Sequence, residues 1–231
     1  MLKARKKIVR KEIKQDKLVT TFFETKDWFN NAENRRKVFI SVGVVVLLVV
    51  AVIYYINYKN KSNNEVEGKL MSAVSVYEQG MFQQAMDGVD SLQIEGFKSL
   101  VSNYGSTENG NTAKFYLANC YYYMKDYDNA LKYYDDYSGS IDYLKAASLA
   151  GKGAVYDAKG DSKQAAGFYE KATKVNKNLI QNEEYTFYAL RCYSHSGAKD
   201  DAKRLYNSLR DDYPKSTHLA DVKRFQSEFL D

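Results

Sequence analysis

Two histidines, two cysteines and a few paired carboxylates are the side chains from which this 231-residue chain could build catalysis or metal binding. His195 and His218 stand apart from each other and from any cysteine pair, so no zinc-ligand spacing exists; both are read as surface residues. Cys120 and Cys192 sit at matching places in two similar segments with several helices between them. At about 8–10 Å per packed helix, that separation far exceeds the roughly 4.4–6.8 Å a disulfide spans between Cα atoms. Free, buried thiols are expected. The pairs Asp135–Asp136 and Asp211–Asp212 lie in polar contexts and are read as solvated. No G-x-S-x-G elbow, P-loop or G-x-G-x-x-G turn occurs. The reading is therefore of a protein that is not an enzyme, with no cofactor, no metal and no small-molecule substrate.

What must be positioned instead is a surface for binding. One proline and 21 tyrosines, with 45% hydrophobic and 27% charged residues, fit a mostly helical chain packed through aromatic rings. The net charge of +5 is uneven: residues 1–37 hold 12 Lys/Arg and 5 Asp/Glu, the remainder 22 and 24. The basicity belongs to the N-terminal tail, whereas nucleic-acid binding needs positive charge on the folded surface; no nucleic-acid partner is expected.

From Val38 to Tyr58 the chain runs 21 residues without a charge, VFISVGVVVLLVVAVIYYINY, in a sequence of negative mean hydropathy. At 1.5 Å per residue this matches the hydrocarbon thickness of a bilayer, about 30 Å. Arg35, Arg36 and Lys37 bound one end, Lys59 and Lys61 the other, and Tyr54, Tyr55 and Tyr58 suit an interfacial belt. A buried core helix is the alternative, but core helices seldom run so long without a polar residue facing out. The segment is too long for a signal-peptide core and has no small-residue cleavage site after it, so it reads as an uncleaved single-pass anchor. The basic tail places the N-terminus in the cytoplasm and the larger domain outside, although the counts close to the span are more even. Within the tail, Leu18, Val19, Phe22, Phe23, Trp28 and Phe29 recur at helical spacing. They suit a helix lying in the headgroup region or docking on a membrane partner, a disordered basic tail being the alternative. The cluster LKARKKIVRK could contact anionic lipid. The expected organisation is a basic cytoplasmic tail at 1–37, a transmembrane helix at 38–58, a polar linker at 59–64 and a repeat domain at 65–231.

Past that linker the sequence aligns with itself. SAVSVYEQGMFQQAMDGVDSL from Ser72, LANCYYYMKDYDNALKYYDDY from Leu117, KGAVYDAKGDSKQAAGFYEKA from Lys152 and ALRCYSHSGAKDDAKRLYNSL from Ala189 share turn residues Gly80, Lys125, Gly160 and Gly197. Each turn is followed five residues on by Ala85, Ala130, Ala165 or Ala202. Small residues Ala73, Ala118 and Gly153 precede the turns, with aromatics Tyr121, Tyr156 and Tyr193 in the first helix and Tyr134, Tyr169 and Tyr206 in the second. Pro214 closes the last copy. This period and pattern resemble the tetratricopeptide repeat, a helix–turn–helix unit. Small residues let the two helices approach, and each hairpin leaves a face that the next must cover. The resemblance implies an all-α, TPR-type helical-hairpin solenoid of about four repeats with a C-terminal capping helix from Ser216, carried by Leu219, Val222, Phe225 and Phe229. Val76 and Val89 in the first copy and Leu190 in the last depart from the pattern, as terminal units do. Between the first two copies, Phe97, Leu100, Val101 and Tyr104 read as a helical continuation and GSTENGN as a turn-rich loop.

Stacked hairpins of this kind present a concave face lined by their first helices. Phe115, Asn119, Tyr122, Tyr123, Asp157, Phe187 and Arg191 are placed there. Phe115 and Phe187 stand where some TPR proteins carry carboxylate-gripping lysines, which argues against that mode and for extended apolar segments or a helix laid in the groove. Some of these rings could instead pack between repeats. Phe22, Phe23, Trp28, Phe29, Arg35, Arg36 and Lys37 form the expected membrane interface.

The tail DKLVTTFFETKDWF followed by RRKVFISVGVVVL is similar to the anchor of bitopic YfgM-like proteins of the bacterial inner membrane, in their Bacteroidota-type form. That resemblance implies an interaction protein ancillary to the SecYEG translocon, with translocon subunits, periplasmic chaperones and exported polypeptides as partners and membrane lipids met through the anchor. A structural scaffold of another envelope machine, for outer-membrane assembly or secretion, is the alternative. An organelle import receptor would require the opposite orientation.

Overall fold

The computed structural model describes residues 17–230, so the basic cluster near the start lies outside the described residues. The chain divides into two compact units, Met1–Asn57 and Tyr58–Asp231.

Helix α1 (Lys17–Asn30) lies in the first unit and is followed by α2 (Ala32–Glu78), whose residues up to Asn57 belong to that unit and the rest to the second, with Asn31 between the two helices. Asn31 caps α2: its Oδ1 accepts the Glu33 N–H at 2.9 Å, satisfying a donor that has no partner within the helix. From the other side, the Asn34 amide donates to the Trp28 carbonyl at 3.0 Å and closes α1. The uncharged stretch is helical throughout, and its most apolar window is wholly exposed. It belongs to one helix long and apolar enough to cross a membrane, found near the N-terminus.

The stretch 59–64, read as a linker, is helical and lies within α2. Its polar residues include no proline or glycine that would stop a helix. Asn63 is bonded to the repeat domain: its Oδ1 accepts the Asn109 N–H at 2.8 Å, and its carbonyl accepts the Asn109 amide at 2.9 Å. The C-terminal part of α2 then supplies the first helix of hairpin one.

Hairpins two to four are α5 (Glu108–Tyr123) with α6 (Tyr127–Asp135), α7 (Asp142–Ala158) with α8 (Ser162–Thr173), and α9 (Asn182–His195) with α10 (Lys199–Asp212). The four anticipated turn residues all have positive φ: Gly80 at 78°, Lys125 at 64°, Gly160 at 82° and Gly197 at 75°. Each turn closes the same way. The turn N–H donates to the carbonyl three residues back and the next N–H to the carbonyl five back, as in Gly160 to Asp157 at 3.0 Å and Asp161 to Tyr156 at 2.9 Å. This is the Schellman arrangement. The second turn residue also starts the next helix, and Asp126 and Asp161 cap it through their side chains.

At the crossings Ala85, Ala130, Ala165 and Ala202 are fully buried, facing fully buried Ala73 and Ala118 in the first two hairpins. A Cβ on Gly153 would stand 3.0 Å from the Tyr169 ring, so that ring uses the space glycine leaves. Stacked pairs recur one repeat apart: Tyr121 on Tyr133 at 5.5 Å and Tyr156 on Phe168 at 5.3 Å. Such a pair adds about 0.5–1.5 kcal/mol beyond burial.

Three expectations are corrected. The second helix of hairpin one, α3 (Phe82–Asp87), stops early. Val89, aligned with the later tyrosines, lies in strand β1 (Gly88–Val89), paired antiparallel with β2 (Ile94–Glu95) before α4 (Phe97–Tyr104). Gly88 at φ 100° turns the chain out of the helix, and Gly96 lets the two strand ends touch where a Cβ would overlap backbone. The pair is a pinch of two residues a side; the domain remains a helical stack. Second, only Gly105–Thr107 of GSTENGN is non-helical, because Thr107 caps α5 through a 3.0 Å bond from the Gly110 N–H. Third, the capping helix is two short pieces, α11 (His218–Val222) and α12 (Ser227–Leu230). The bonds from Leu219, Ala220, Arg224, Phe225, Glu228 and Phe229 N–H groups all reach the third residue back, a 3₁₀-like path. Val222, Phe225 and Phe229 are buried against the last hairpin as expected.

Candidate functional site: the first-helix face

Residues 115, 119, 122 and 123 share a face of α5 by the helical period, yet the structure sends them to different tasks. Tyr122 lines an open cavity of about 400 Å³ together with Ala154, Asp157 and Ala158 of α7, Tyr169 of α8, and Tyr188 and Arg191 of α9. Three of the anticipated residues, Tyr122, Asp157 and Arg191, thus meet across three hairpins. Arg191 donates to Asp157 Oδ2 at 2.8 Å, with both side chains about one-third exposed. Burial opposes the Arg191 charge, and the Asp157 carboxylate outweighs it, so the guanidinium is held more firmly protonated than usual. The same guanidinium lies 5.2 Å from the Tyr188 ring centre. Burial, with the hydrogen bond to Glu184 at 2.7 Å, pushes the Tyr188 hydroxyl up to about 12. Burial also raises Tyr122.

Neutral phenols, a balanced ion pair and a floor of two alanines make a recess that offers donors, an acceptor and ring faces at once. Such a site can hydrogen-bond a ligand and stack on it at the same time. Tyr188, Tyr169, Ala154 and Ala158 were not anticipated here. Ala154 and Ala158 are four apart around Asp157, and Tyr188 is three before Arg191, so helical spacing from the two charged residues would have found them.

The other expected groove residues do different work. Asn119 accepts from the Tyr134 hydroxyl at 2.6 Å and holds that ring inside its own hairpin. Phe115 is half-buried beside Tyr116 and Tyr134, at 5.5 and 6.3 Å between centres. Phe187 is only 7% exposed because the C-terminal segment covers it: His218 stacks on it at 4.3 Å and 11°, and Phe225 stands 6.4 Å away. Phe187 is therefore core, and His218, expected on the surface, is half-buried as its cover. Tyr123 is 54% exposed and stacks on Phe82 at 4.6 Å and 7°. Phe82 itself lines an apolar recess of about 390 Å³ with Met81 and Met124. That second patch was also missed, although methionines flank the turns of hairpins one and two.

His195 is exposed at the end of α9, edge-on to Phe225 at 6.0 Å. Cys120 and Cys192 are free and fully buried, their thiols pushed up to about 12 by burial. Asp135, Asp136, Asp211 and Asp212 are exposed. In the N-terminal unit, Phe22, Phe23, Trp28 and Phe29 are exposed on α1. Arg35, Arg36 and Lys37 stand in the first turns of α2, with Lys37 bridging Glu33 at 2.8 Å.

A tetratricopeptide repeat family model matches residues 112–138 and 188–216, the second hairpin and most of the fourth. The third hairpin, between the matched segments, has the same turn bonds and the same buried alanine. No curated protein matches the chain. The fold is an all-α, TPR-type helical-hairpin solenoid, the architecture of a protein–protein interaction scaffold.

Proposed function

We propose that the chain is a membrane-anchored adaptor ancillary to the Sec translocon, with the 38–58 span crossing the bacterial inner membrane, the tail in the cytoplasm and the repeat domain in the periplasm. There it receives exported polypeptides or docks a periplasmic chaperone, and it acts by binding, without catalysis. The recess around the Asp157–Arg191 pair carries this reading, since it is open, balanced in charge and built from three successive hairpins. The exposed apolar span, with basic residues at its N-terminal end, supports the anchor, and the exposed rings of α1 suit the headgroup region.

Photo-crosslinking from Tyr122 in growing cells tests it. Exported polypeptides, a chaperone or translocon subunits should be captured, and Arg191→Ala should reduce the yield. If none is captured and no translocon subunit copurifies in mild detergent, the reading fails. Digestion of the repeat domain in intact spheroplasts by added protease checks the orientation; complete protection there would reverse it.

A further inference from the structure

Away from the first-helix face lies a cavity of about 380 Å³ between the end of α6, the start of α7 and the end of α8. Its walls are chiefly apolar, from Leu149, Val175 and the Tyr134 ring. Into it open Lys145, Ser148 and Lys152, which share one face of α7 with Leu149. Among the described residues, three buried side-chain polar atoms have no hydrogen-bond partner, and two of them, Ser148 Oγ and Tyr137 Oη, belong to residues lining this cavity. Ser148 is 4% exposed. A buried hydroxyl left unmatched costs about 1–3 kcal/mol, so the Ser148 hydroxyl calls for a partner; the Tyr137 oxygen has the Ile141 N–H beside it, which leaves its own proton to donate.

We propose that this cavity binds a small carboxylate carried on an apolar body, its anion lying between Lys145 and Lys152 and accepting from the Ser148 and Tyr137 hydroxyls. Burial pushes the Tyr137 hydroxyl up to about 12, which keeps it a donor. Lys152 is fixed over the Phe168 ring at 4.5 Å and pairs with Asp135 at the rim. With Asp142 3.8 Å from Lys145, both ammoniums have a carboxylate beside them, so the site selects by its convergent donors, which a carboxylate's acceptor oxygens match, and not by net charge. The next junction of the solenoid shows what the site requires. The offset that carries Gly160 onto Gly197 carries Lys145 onto Asn182 and Leu149 onto Thr186. The cavity there, about 470 Å³, is lined by those two residues with Asp212 and Lys177, so it keeps one ammonium, at a different position, and has lost the apolar wall. The third unmatched atom, Asn182 Oδ1, belongs to it.

The test uses the full-length chain in lipid nanodiscs, titrated with 3-phenylpropionate and followed by saturation-transfer NMR, with empty discs subtracted. Saturable binding is expected, absent for the neutral 3-phenylpropanamide and weakened about tenfold or more by Lys145→Gln or Ser148→Ala. Thr186→Val, in the neighbouring cavity, should leave it unchanged. Ser148→Ala should keep or raise the unfolding midpoint, because it removes an unmatched hydroxyl; lost binding in a sound fold separates ligation from packing. The proposal is overturned by equal binding of acid and amide, by unchanged affinity in both variants, or by no saturable binding up to about 10 mM. A peptide ending in a free C-terminal phenylalanine, against its amidated form, distinguishes the source. Tighter binding than 3-phenylpropionate assigns the site to polypeptide C-termini, and weaker binding assigns it to free carboxylates.

Discussion

Alanine at Gly151 and alanine at Gly167 are the same chemical change in adjacent helices, and the structure requires them to act in opposite directions. At Gly167, in α8, nothing lies within 4 Å of a new Cβ. The substitution there only removes glycine's backbone freedom, for a gain of about 0.5–1 kcal/mol. At Gly151, in α7, the Cβ would overlap the Tyr134 ring, with Cε1 at 2.6 Å and the hydroxyl at 2.7 Å. Tyr134 is 5% exposed and bonded to Asn119, so it has nowhere to swing without losing that bond. Overpacking costs about 1–3 kcal/mol and the strained hydrogen bond about 0.5–1.5, against a helix gain of about 1. The net loss is about 1–3 kcal/mol. Urea unfolding of the full chain in nanodiscs, followed by far-UV circular dichroism, reads both. With a slope of about 2 kcal/mol per molar, the midpoint should rise by up to about 0.5 M for Gly167→Ala and fall by about 1 M for Gly151→Ala. If Gly151→Ala stabilises as Gly167→Ala does, the close packing of Tyr134 on α7 is wrong.

Of the four hairpin-turn residues, Lys125 alone carries a Cβ in the left-handed region, so Lys125→Gly should be neutral or stabilising by up to about 1 kcal/mol, whereas Gly160→Ala should cost about 1–2, both read as urea midpoints. Asp161→Ala removes the cap of α8, which accepts the Gln164 N–H at 3.1 Å, and should cost about 1 kcal/mol. Neither thiol should react with an aromatic disulfide reagent at mildly alkaline pH in the folded chain, and both should react in denaturant. Burial pushes the Glu170 carboxyl up, but hydrogen bonds from Lys174 and Arg204 outweigh it and leave it below its ordinary value of 4.5. The stability this provides is complete above that value and is lost as pH falls through the lower folded value. Glu170→Gln should flatten that acid limb of a stability–pH profile.

The turns and crossings were legible because each is a local requirement with a fixed address: a left-handed residue, then an alanine five positions on. Where the fold departs from the repeat, the reason is a backbone event with a weaker sequence mark. Val89 keeps the spacing of Tyr134 and Tyr169, but Gly88 ahead of it takes the chain out of the helix. Leu219, Val222 and Phe225 are spaced by three, the 3₁₀ period, and that was readable as a sign that the cap would not be one α-helix. The candidate face was half legible. Helical spacing put Tyr122, Asp157 and Arg191 on successive first helices, and the structure brings the three into one recess. The spacing gave no information that the C-terminal segment would fold over Phe187, since that contact joins residues about thirty positions apart with no periodic relation.

The four hairpin turns leave no slack. With the end of one helix and the start of the next sharing two residues and one pair of bonds, a single inserted residue would break both closures at once. Length can therefore vary only along the opposite margin of the domain, where helix ends are joined by freer segments, and that margin holds the extra sequence between Gly88 and Gly96. Descendants of such a chain would diverge along one border and stay fixed along the other, so new recognition features would gather where the connecting segments are free to lengthen.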